Sequence, residues 1–350
     1  MKRFTSIVIA AIAVLVVSAT LSAQPASAKS ASLSIVPKKN YTIEPGKTAN
    51  DTLTVRNLDA KEPLELTLRV VDFTFTNDGG APKLMLEEDA PLTTWSLKPF
   101  LTLPETVTIP PKSSKTLDMS VSIPAGHGAG SYYSAIVYSS GAPGAGGNVG
   151  LNASGVTLVF TTIPGKVNED LKLERFGAYS TATSDKEAGY VFVTTKEPEV
   201  MAYTLKNNGN VTESPVGSIT IKNMFGQSRT INNVNPSESL ALIGQSRTFT
   251  SCIKLKSEEV NFNGSKSEST SCTSPGLWPG YYSATLDLFY GQNGNRTQEI
   301  GGKASFWYLP AWFIFIILIL LLAVAYVVWR IVRAVRGKLY GTQKKKSSRK

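Results

Sequence analysis

Few side chains in this sequence have types and spacings that support catalysis. The single histidine, His127, lies in the glycine-rich turn PAGHGAGS, and its neighbours do not form the pattern of a nucleophile, a base and an orienting acid. The pairs Glu87-Glu88 and Glu258-Glu259 lie in polar segments, and adjacency in sequence does not indicate two glycosidase carboxylates. With two cysteines and one histidine, a metal site is not expected either. We therefore predict that the protein is not an enzyme and uses no cofactor.

Aromatic side chains are the remaining candidates for ligand binding. An exposed aromatic ring has a face that suits a sugar, and Trp95 and Tyr132 are our candidate ligand-binding residues on this basis. Trp278 is a further candidate of the same type. The alternative for each tryptophan is burial in a core, which is the commoner position for this side chain in a β-sandwich.

The beginning of the chain has the pattern of a secretory signal peptide. Lys2 and Arg3 precede an apolar run from Ile7 to Val17, and a stretch of small residues follows. Ala26-Ser27-Ala28 matches the small-residue pattern of a cleavage site, so residues 1–28 are predicted to be a signal peptide cut after Ala28. The alternative is an uncleaved N-terminal anchor.

The other end of the chain has the pattern of a membrane anchor. The segment from Ala311 to Trp329 contains no charged side chain and has aromatic residues at both ends, which is typical of a transmembrane helix. We predict a transmembrane helix over residues 309–329 and a basic cytoplasmic tail over 330–350. Because positive residues stay inside, residues 29 to 308 are expected outside the cell. The helix and the tail are then the parts that contact membrane lipid.

The positive charge of the protein is concentrated at its two ends. The net charge is +10, and nine Lys and Arg after Trp329 together with Lys2 and Arg3 account for all of it. The middle of the chain is therefore nearly neutral. Nucleic-acid binding needs a basic surface, so we do not expect nucleic acid as a partner.

The exported part of the sequence predicts an all-β fold. Segments such as DTLTVRN and KTLDMSVSIP alternate apolar and polar residues, which is typical of half-buried antiparallel strands. Turn signals such as Pro45-Gly46 and Asn208-Gly209 separate these segments. We predict two tandem immunoglobulin-like β-sandwich domains, at residues 29–165 and 166–308, followed by the single C-terminal transmembrane helix.

The phrase Tyr-Tyr-Ser-Ala occurs twice, once after Gly130 and once after Gly280. In immunoglobulin-like sandwiches a tyrosine near the start of the penultimate strand commonly binds a backbone group through its hydroxyl, forming a tyrosine corner. Alignment of the two phrases predicts Tyr133 and Tyr282 as the corner residues. Tyr132 is the alternative in the first copy, because the glycine there is one residue further away. The same alignment turns these side chains toward the two cores: Tyr133, Ala135, Val137, Tyr282, Ala284, Leu286 and Leu288.

The two cysteines, Cys252 and Cys272, lie in the second predicted domain. An even number of cysteines outside the cell indicates a disulfide, with free thiols as the less expected alternative. Closing a loop of about 20 residues stabilises a fold by roughly 3 kcal/mol in the chain-entropy model. The polar segment between the cysteines, IKLKSEEVNFNGSKSESTS, is expected to loop out between two strands.

The first domain resembles the WxL-interacting protein family of bacterial surface proteins. Two segments carry the resemblance, SIVPKKNYTIEPGKTANDTLTVRNLDAKEPLELTLRV and WSLKPFLTLPETVTIPPKSSKTLDMSVSIPAGHGAGSYYSAIVY. The resemblance implies an immunoglobulin-like fold, a location at the cell surface, and binding to peptidoglycan and to a partner surface protein. The second domain looks like a general bacterial extracellular sandwich, and its Cys-flanked insertion departs from the expected pattern.

Our leading hypothesis is a membrane-anchored protein of the cell envelope that binds a cell-wall polymer, a surface protein, or both. The alternative is an assembly or adhesion factor that resembles a pilus chaperone and acts by β-strand addition. An enzyme with an unrecognised site is the third possibility. Activity against wall polymers would identify the enzyme, and capture of a partner would separate the other two.

Overall fold

The computed structural model describes residues 33–347, except 77–79, 88, 141–152, 183–186, 263–264 and 292–295. The predicted signal peptide, residues 1–28, lies outside the described residues. In the described part the chain is mostly β-strand, with one long C-terminal α-helix.

Eleven of the described strands belong to the first domain. Their bounds are β1 (Leu33–Ser34), β2 (Lys38–Thr42), β3 (Thr48–Asn57), β4 (Leu64–Val71), β5 (Phe73–Phe75), β6 (Pro82–Leu84), β7 (Leu101–Thr102), β8 (Thr106–Ile109), β9 (Ser114–Ser122), β10 (Gly130–Ser140) and β11 (Ala153–Ile163). One sheet has the order β1-β3-β9-β7 and the other β2-β11-β10-β4-β8. The strands β2 and β11 run parallel, which closes one side of the sandwich.

Eleven further strands form the second domain. Their bounds are β12 (Leu171–Ser180), β13 (Gly189–Tyr190), β14 (Val193–Thr194), β15 (Val200–Asn207), β16 (Val216–Asn223), β17 (Ser228–Ile231), β18 (Ser246–Cys252), β19 (Leu255–Phe262), β20 (Ser265–Cys272), β21 (Gly280–Tyr290) and β22 (Gln298–Tyr308). Its two sheets have the orders β13-β12-β15-β18 and β14-β22-β21-β16-β17. The predicted fold class, two β-sandwiches followed by an apolar helix, is confirmed.

The alternating sequence pattern places one face of each strand in a core. In β3 the side chains of Leu53 and Val55 are buried, and those of Leu117 and Met119 in the neighbouring strand β9 lie beside them on the same face of that sheet, in the first core. The second sandwich has its own core, to which β21 contributes Leu286. Each sandwich therefore has the apolar interior that an independent domain requires.

The two sandwiches pack against each other through a third apolar cluster. Phe73, Tyr133 and Phe160 of the first domain surround the buried Leu242 of the second domain. The guanidinium of Arg247 lies 5.0 Å from the ring centre of Phe75 in the first domain and 5.0 Å from that of Phe249 in the second. An apolar contact of this kind between domains restricts their relative motion.

Hydrogen bonds add to this contact at the start of β10. The backbone N–H of Ser131 donates to the carbonyl of Asn210 at 2.9 Å, and the hydroxyl of Ser131 accepts from the backbone N–H of Thr212 at 3.0 Å. The side-chain amide of Asn210 donates to the carbonyl of Ala129 at 3.0 Å. These directional bonds hold the two domains in one arrangement.

The C-terminal helix, α1 (Ala311–Ser347), is longer than the predicted span of 309–329. Residues Ala311–Arg336 are long and apolar enough to cross a membrane, with a mean hydropathy of 3.0. The helix continues through most of the basic tail because Lys, Arg and Gln favour helical structure. Only Leu309 and Pro310 separate it from β22.

Candidate functional site

The repeated phrase forms a tyrosine corner in both domains, but with a different residue from the predicted one in the first domain. The hydroxyl of Tyr282 donates to the carbonyl of Trp278 at 2.7 Å, as predicted. In the first domain the equivalent bond is made by Tyr132, whose hydroxyl donates to the carbonyl of Gly128 at 3.1 Å. The prediction of Tyr133 as a corner residue was therefore wrong, and the alternative is correct.

The reason for the error is a one-residue slip between the two copies. The structurally equivalent unit is glycine-x-tyrosine, at Gly130 to Tyr132 and at Gly280 to Tyr282, and not the Tyr-Tyr-Ser-Ala phrase. Because side chains alternate along a strand, a slip of one residue moves a whole set to the opposite face. The side chains of Tyr133, Ala135 and Val137 thus face the interdomain cluster, not the core of the first sandwich.

Trp95 is part of the contact between the domains. Its ring stacks on Tyr133, with 5.9 Å between ring centres, and Gly244 of the second domain lies against its edge. The carbonyl of Trp95 accepts the backbone N–H of Tyr133 at 2.9 Å, which fixes the segment in place. This side chain is partly buried and packed on a neighbouring ring, which is a poor arrangement for stacking on a sugar.

Tyr132, the other candidate ligand-binding residue, is also partly buried. Its ring lies 4.6 Å from that of His127, which in turn lies 4.6 Å from that of Phe100. His127 is therefore a packed turn residue between two aromatic rings. The structure does not bring Tyr132 together with Trp95. Tyr132 and Tyr133 are neighbours in β10 and lie on opposite faces of it, and Trp95 packs on Tyr133.

A buried carboxylate that the sequence analysis did not single out supports the segment that carries Trp95. Asp72 accepts hydrogen bonds from the hydroxyls of Ser96 at 2.7 Å and Ser134 at 3.0 Å through one oxygen. Its other oxygen accepts from the backbone N–H of Thr93 at 3.1 Å and from the hydroxyl of the same residue at 2.9 Å. A buried carboxylate that accepts this many hydrogen bonds holds neighbouring segments of the fold together. Asp72 thus fixes the loop before Ser96 onto β10.

The second domain has a hairpin of β19 and β20, which we call the hairpin arm. Its strands pair with each other over the register Leu255↔Cys272 to Phe262↔Ser265 and with no other described strand. The predicted disulfide between Cys252 and Cys272 is present at its base. The segment was predicted to be a loop and is instead paired β-structure.

No other described strand pairs with the outer edges of the hairpin arm. The backbone N–H of Thr273 donates to the carbonyl of Lys254, so this pair is hydrogen bonded across the arm. Bonded and non-bonded pairs alternate along an antiparallel ladder, so the amides of Ser257 and Thr270, which face each other, point outward. An open edge of this kind is a template for another strand.

One buried titratable group lies beside the contact between the domains. Glu213 is almost fully buried, and its carboxylate accepts the backbone N–H of Gly291 at 3.1 Å. Burial, followed by the nearby charge of Glu169, raises the pKa of Glu213 to about 7. In the described ranges no group of three His, Cys, Asp or Glu residues could hold a metal ion.

The chain matches no protein-family model and no curated protein. Among solved structures, one described as a chaperone–tip adhesin complex in CFA/I fimbriae biogenesis is 12% identical, with a TM-score of 0.37 over 80% of this chain and 99% of that chain. The class 5 fimbriae chaperone CfaA is 12% identical, with a TM-score of 0.34 over 77% and 98%. The Escherichia coli chaperone DraB is 12% identical, with a TM-score of 0.32 over 79% and 96%. Values this low do not show a shared function.

Proposed function

We propose that this protein is a membrane-anchored, non-enzymatic binding protein of the cell envelope that holds a partner protein by β-strand addition to the hairpin arm. The observation that supports the proposal is the arm itself. Its two strands pair with no other described strand, and the described side chains from Lys254 to Val260 are exposed. Main-chain hydrogen bonds to such an edge provide affinity for an extended peptide.

The rest of the molecule suits this role. The interdomain cluster packs the two sandwiches together, and the disulfide between Cys252 and Cys272 fixes the point at which the hairpin arm is attached to the second sandwich. A fixed arm loses less conformational entropy on binding than a free loop would. The helix α1 would keep the whole unit at the membrane.

A cell-wall polymer remains the alternative ligand, as the resemblance to the WxL-interacting family implies. Sugar binding at Trp95 is less favoured, because that ring packs on Tyr133 beside the second domain. Binding of a partner protein at the hairpin arm does not depend on Trp95. We therefore favour a protein partner.

Capture from envelope extracts tests the proposal with a matched pair of variants. Ser257→Pro removes one outward backbone donor and leaves the bonded pairs of the ladder intact, whereas Ser257→Ala keeps the donor. A protein retained by the wild-type full chain and by Ser257→Ala should be lost with Ser257→Pro. Equal capture by all three chains would exclude strand addition at this edge. Retention of wall fragments by all three would favour the polymer.

A further inference from the structure

The second domain has a group of exposed apolar side chains at one end of its sandwich, which we call the apolar rim. Five side chains form it: Phe192, Val193, Met224, Phe225 and Trp278. Their exposed fractions are 60%, 55%, 55%, 74% and 69% in that order. Exposed apolar side chains that collect in one region mark an interaction site, whereas scattered ones do not.

Hydrogen bonds and strand pairing place the apolar rim at the end of the sheet from which α1 leaves. Val193 pairs with Trp307, and the backbone N–H of Met224 donates to the carbonyl of Tyr281 at 3.1 Å. The carbonyl of Trp278 accepts the hydroxyl of Tyr282. Gly280, which precedes both tyrosines, pairs with Tyr308, the last residue of β22. All of these contacts lie at the same end of the domain.

We propose that the apolar rim docks on the surface of the lipid bilayer. This inference rests on the membrane anchoring that is part of the proposed function. The helix α1 begins at Ala311, and the two residues before it span at most about 7 Å. A helix that enters the bilayer at this point therefore holds the end of β22, and the rim beside it, at the interface between water and lipid.

The composition of the apolar rim fits this occupant. Tryptophan favours the headgroup region, where its ring is buried and its N–H stays wet, and Phe and other apolar side chains are buried at the boundary between headgroups and acyl chains. Trp312 in the first turn of α1 is a residue of the same kind next to the rim. Several apolar side chains that enter this region together would hold the second domain upright on the bilayer, whereas the helix alone leaves it free to tilt.

Fluorescence quenching by lipid tests the inference in the full chain reconstituted into phosphatidylcholine vesicles. Phe225→Cys receives an environment-sensitive label under non-reducing conditions, and Ser237→Cys, an exposed position at the other end of the domain, is the matched control. Phospholipids with brominated acyl chains serve as the quencher. We expect several-fold stronger quenching of the label at position 225 than at position 237.

The possible outcomes separate this inference from the proposed function. Equal, weak quenching at both positions in vesicles where α1 is inserted would overturn the docking of the rim and leave strand addition untouched. A signal at position 225 that depends on protein density and not on the quencher would mean that a second copy covers the rim, which also overturns it. Failure of α1 to insert, measured by carbonate extraction, would overturn the docking of the rim and the membrane anchoring that it rests on.

Discussion

At the scale of single residues, two glycines fix the positions of the tyrosine corners. Gly130 and Gly280 both have positive φ values, 149° and 144°, and both come two residues before a corner tyrosine. The sequence correctly predicts the motif from the glycine and the tyrosine. It did not reveal which of two adjacent tyrosines is the corner, because that choice depends on the face that the second domain covers.

Gly130 is the residue at which a side chain would disturb the contact between the domains. A Cβ atom there would lie 2.6 Å from the carbonyl oxygen of Asn210, closer than such atoms approach. We expect Gly130→Ala to destabilise the fold by about 1–3 kcal/mol, from backbone strain and this clash. Gly128→Ala, whose added atom would meet only the Tyr132 hydroxyl at 3.8 Å, is the control. Denaturant unfolding of both variants measures the difference, and equal stability would contradict the account.

Glu213 predicts a pH dependence of stability. Its pKa is raised to about 7 in the folded protein, chiefly by burial, so the folded state holds its proton longer than the unfolded state does. The stability that comes with the protonated form of Glu213 is fully present below the unfolded pKa, near pH 4.5, and is lost as the pH rises through 7. Thermal midpoints between pH 4.5 and 8 should therefore fall in the wild type and fall less in Glu213→Gln. The same slope in both proteins would rule out this group as the cause.

At the scale of elements, the hairpin arm shows where sequence patterns lose their predictive value. The strands of the sandwiches alternate apolar and polar residues because one face of each is buried. The described side chains of the arm, residues 254–260 and 268–271, are exposed, so its Ser, Glu and Lys residues follow no such period and resemble a loop. Its β-structure depends on pairing between its own strands and on the disulfide, and the sequence indicated only the disulfide.

Removal of the disulfide should loosen the hairpin arm while the sandwiches keep their structure. A two-stranded hairpin without a core is marginally stable in water, and the cross-link contributes up to roughly 3 kcal/mol. In the Cys252→Ser, Cys272→Ser variant we expect faster hydrogen exchange of amides in β19 and β20. Amides of β10 and β21, inside the sandwiches, serve as the internal control. Unchanged exchange in the arm would mean that the disulfide does not support it.

At the scale of the whole molecule, the two sandwiches and the apolar helix follow from the sequence, but their arrangement does not. The interdomain cluster combines Phe73 and Tyr133 with Leu242, which lie far apart in the chain. Alternation within a strand shows that a face is apolar, and cannot show that another domain covers it. For this reason Trp95 looked like a candidate for an exposed sugar site and is instead a packing residue.

Leu242 tests whether the domains behave as one unit. Its side chain is buried between the sandwiches, so we expect Leu242→Ala to weaken the contact between the domains by about 2–5 kcal/mol of free energy. We expect the thermal unfolding of the two domains, which should occur together in the wild type, to separate into two transitions. Val260→Ala, at an exposed position on the arm, is the control. A single transition at an unchanged temperature would show that the contact does not couple the domains.

The central claim, strand addition at the hairpin arm, is tested most directly by photocrosslinking in intact cells. A photoreactive amino acid at position 255 lies on β19, on the same open edge as Ser257, and the same probe at position 237 reports on an exposed surface away from the arm. The account predicts an adduct with one protein from position 255, formed through an extended segment of that protein and lost in the Ser257→Pro background. Adducts with wall polymer alone, or equal adducts from both positions, would contradict it.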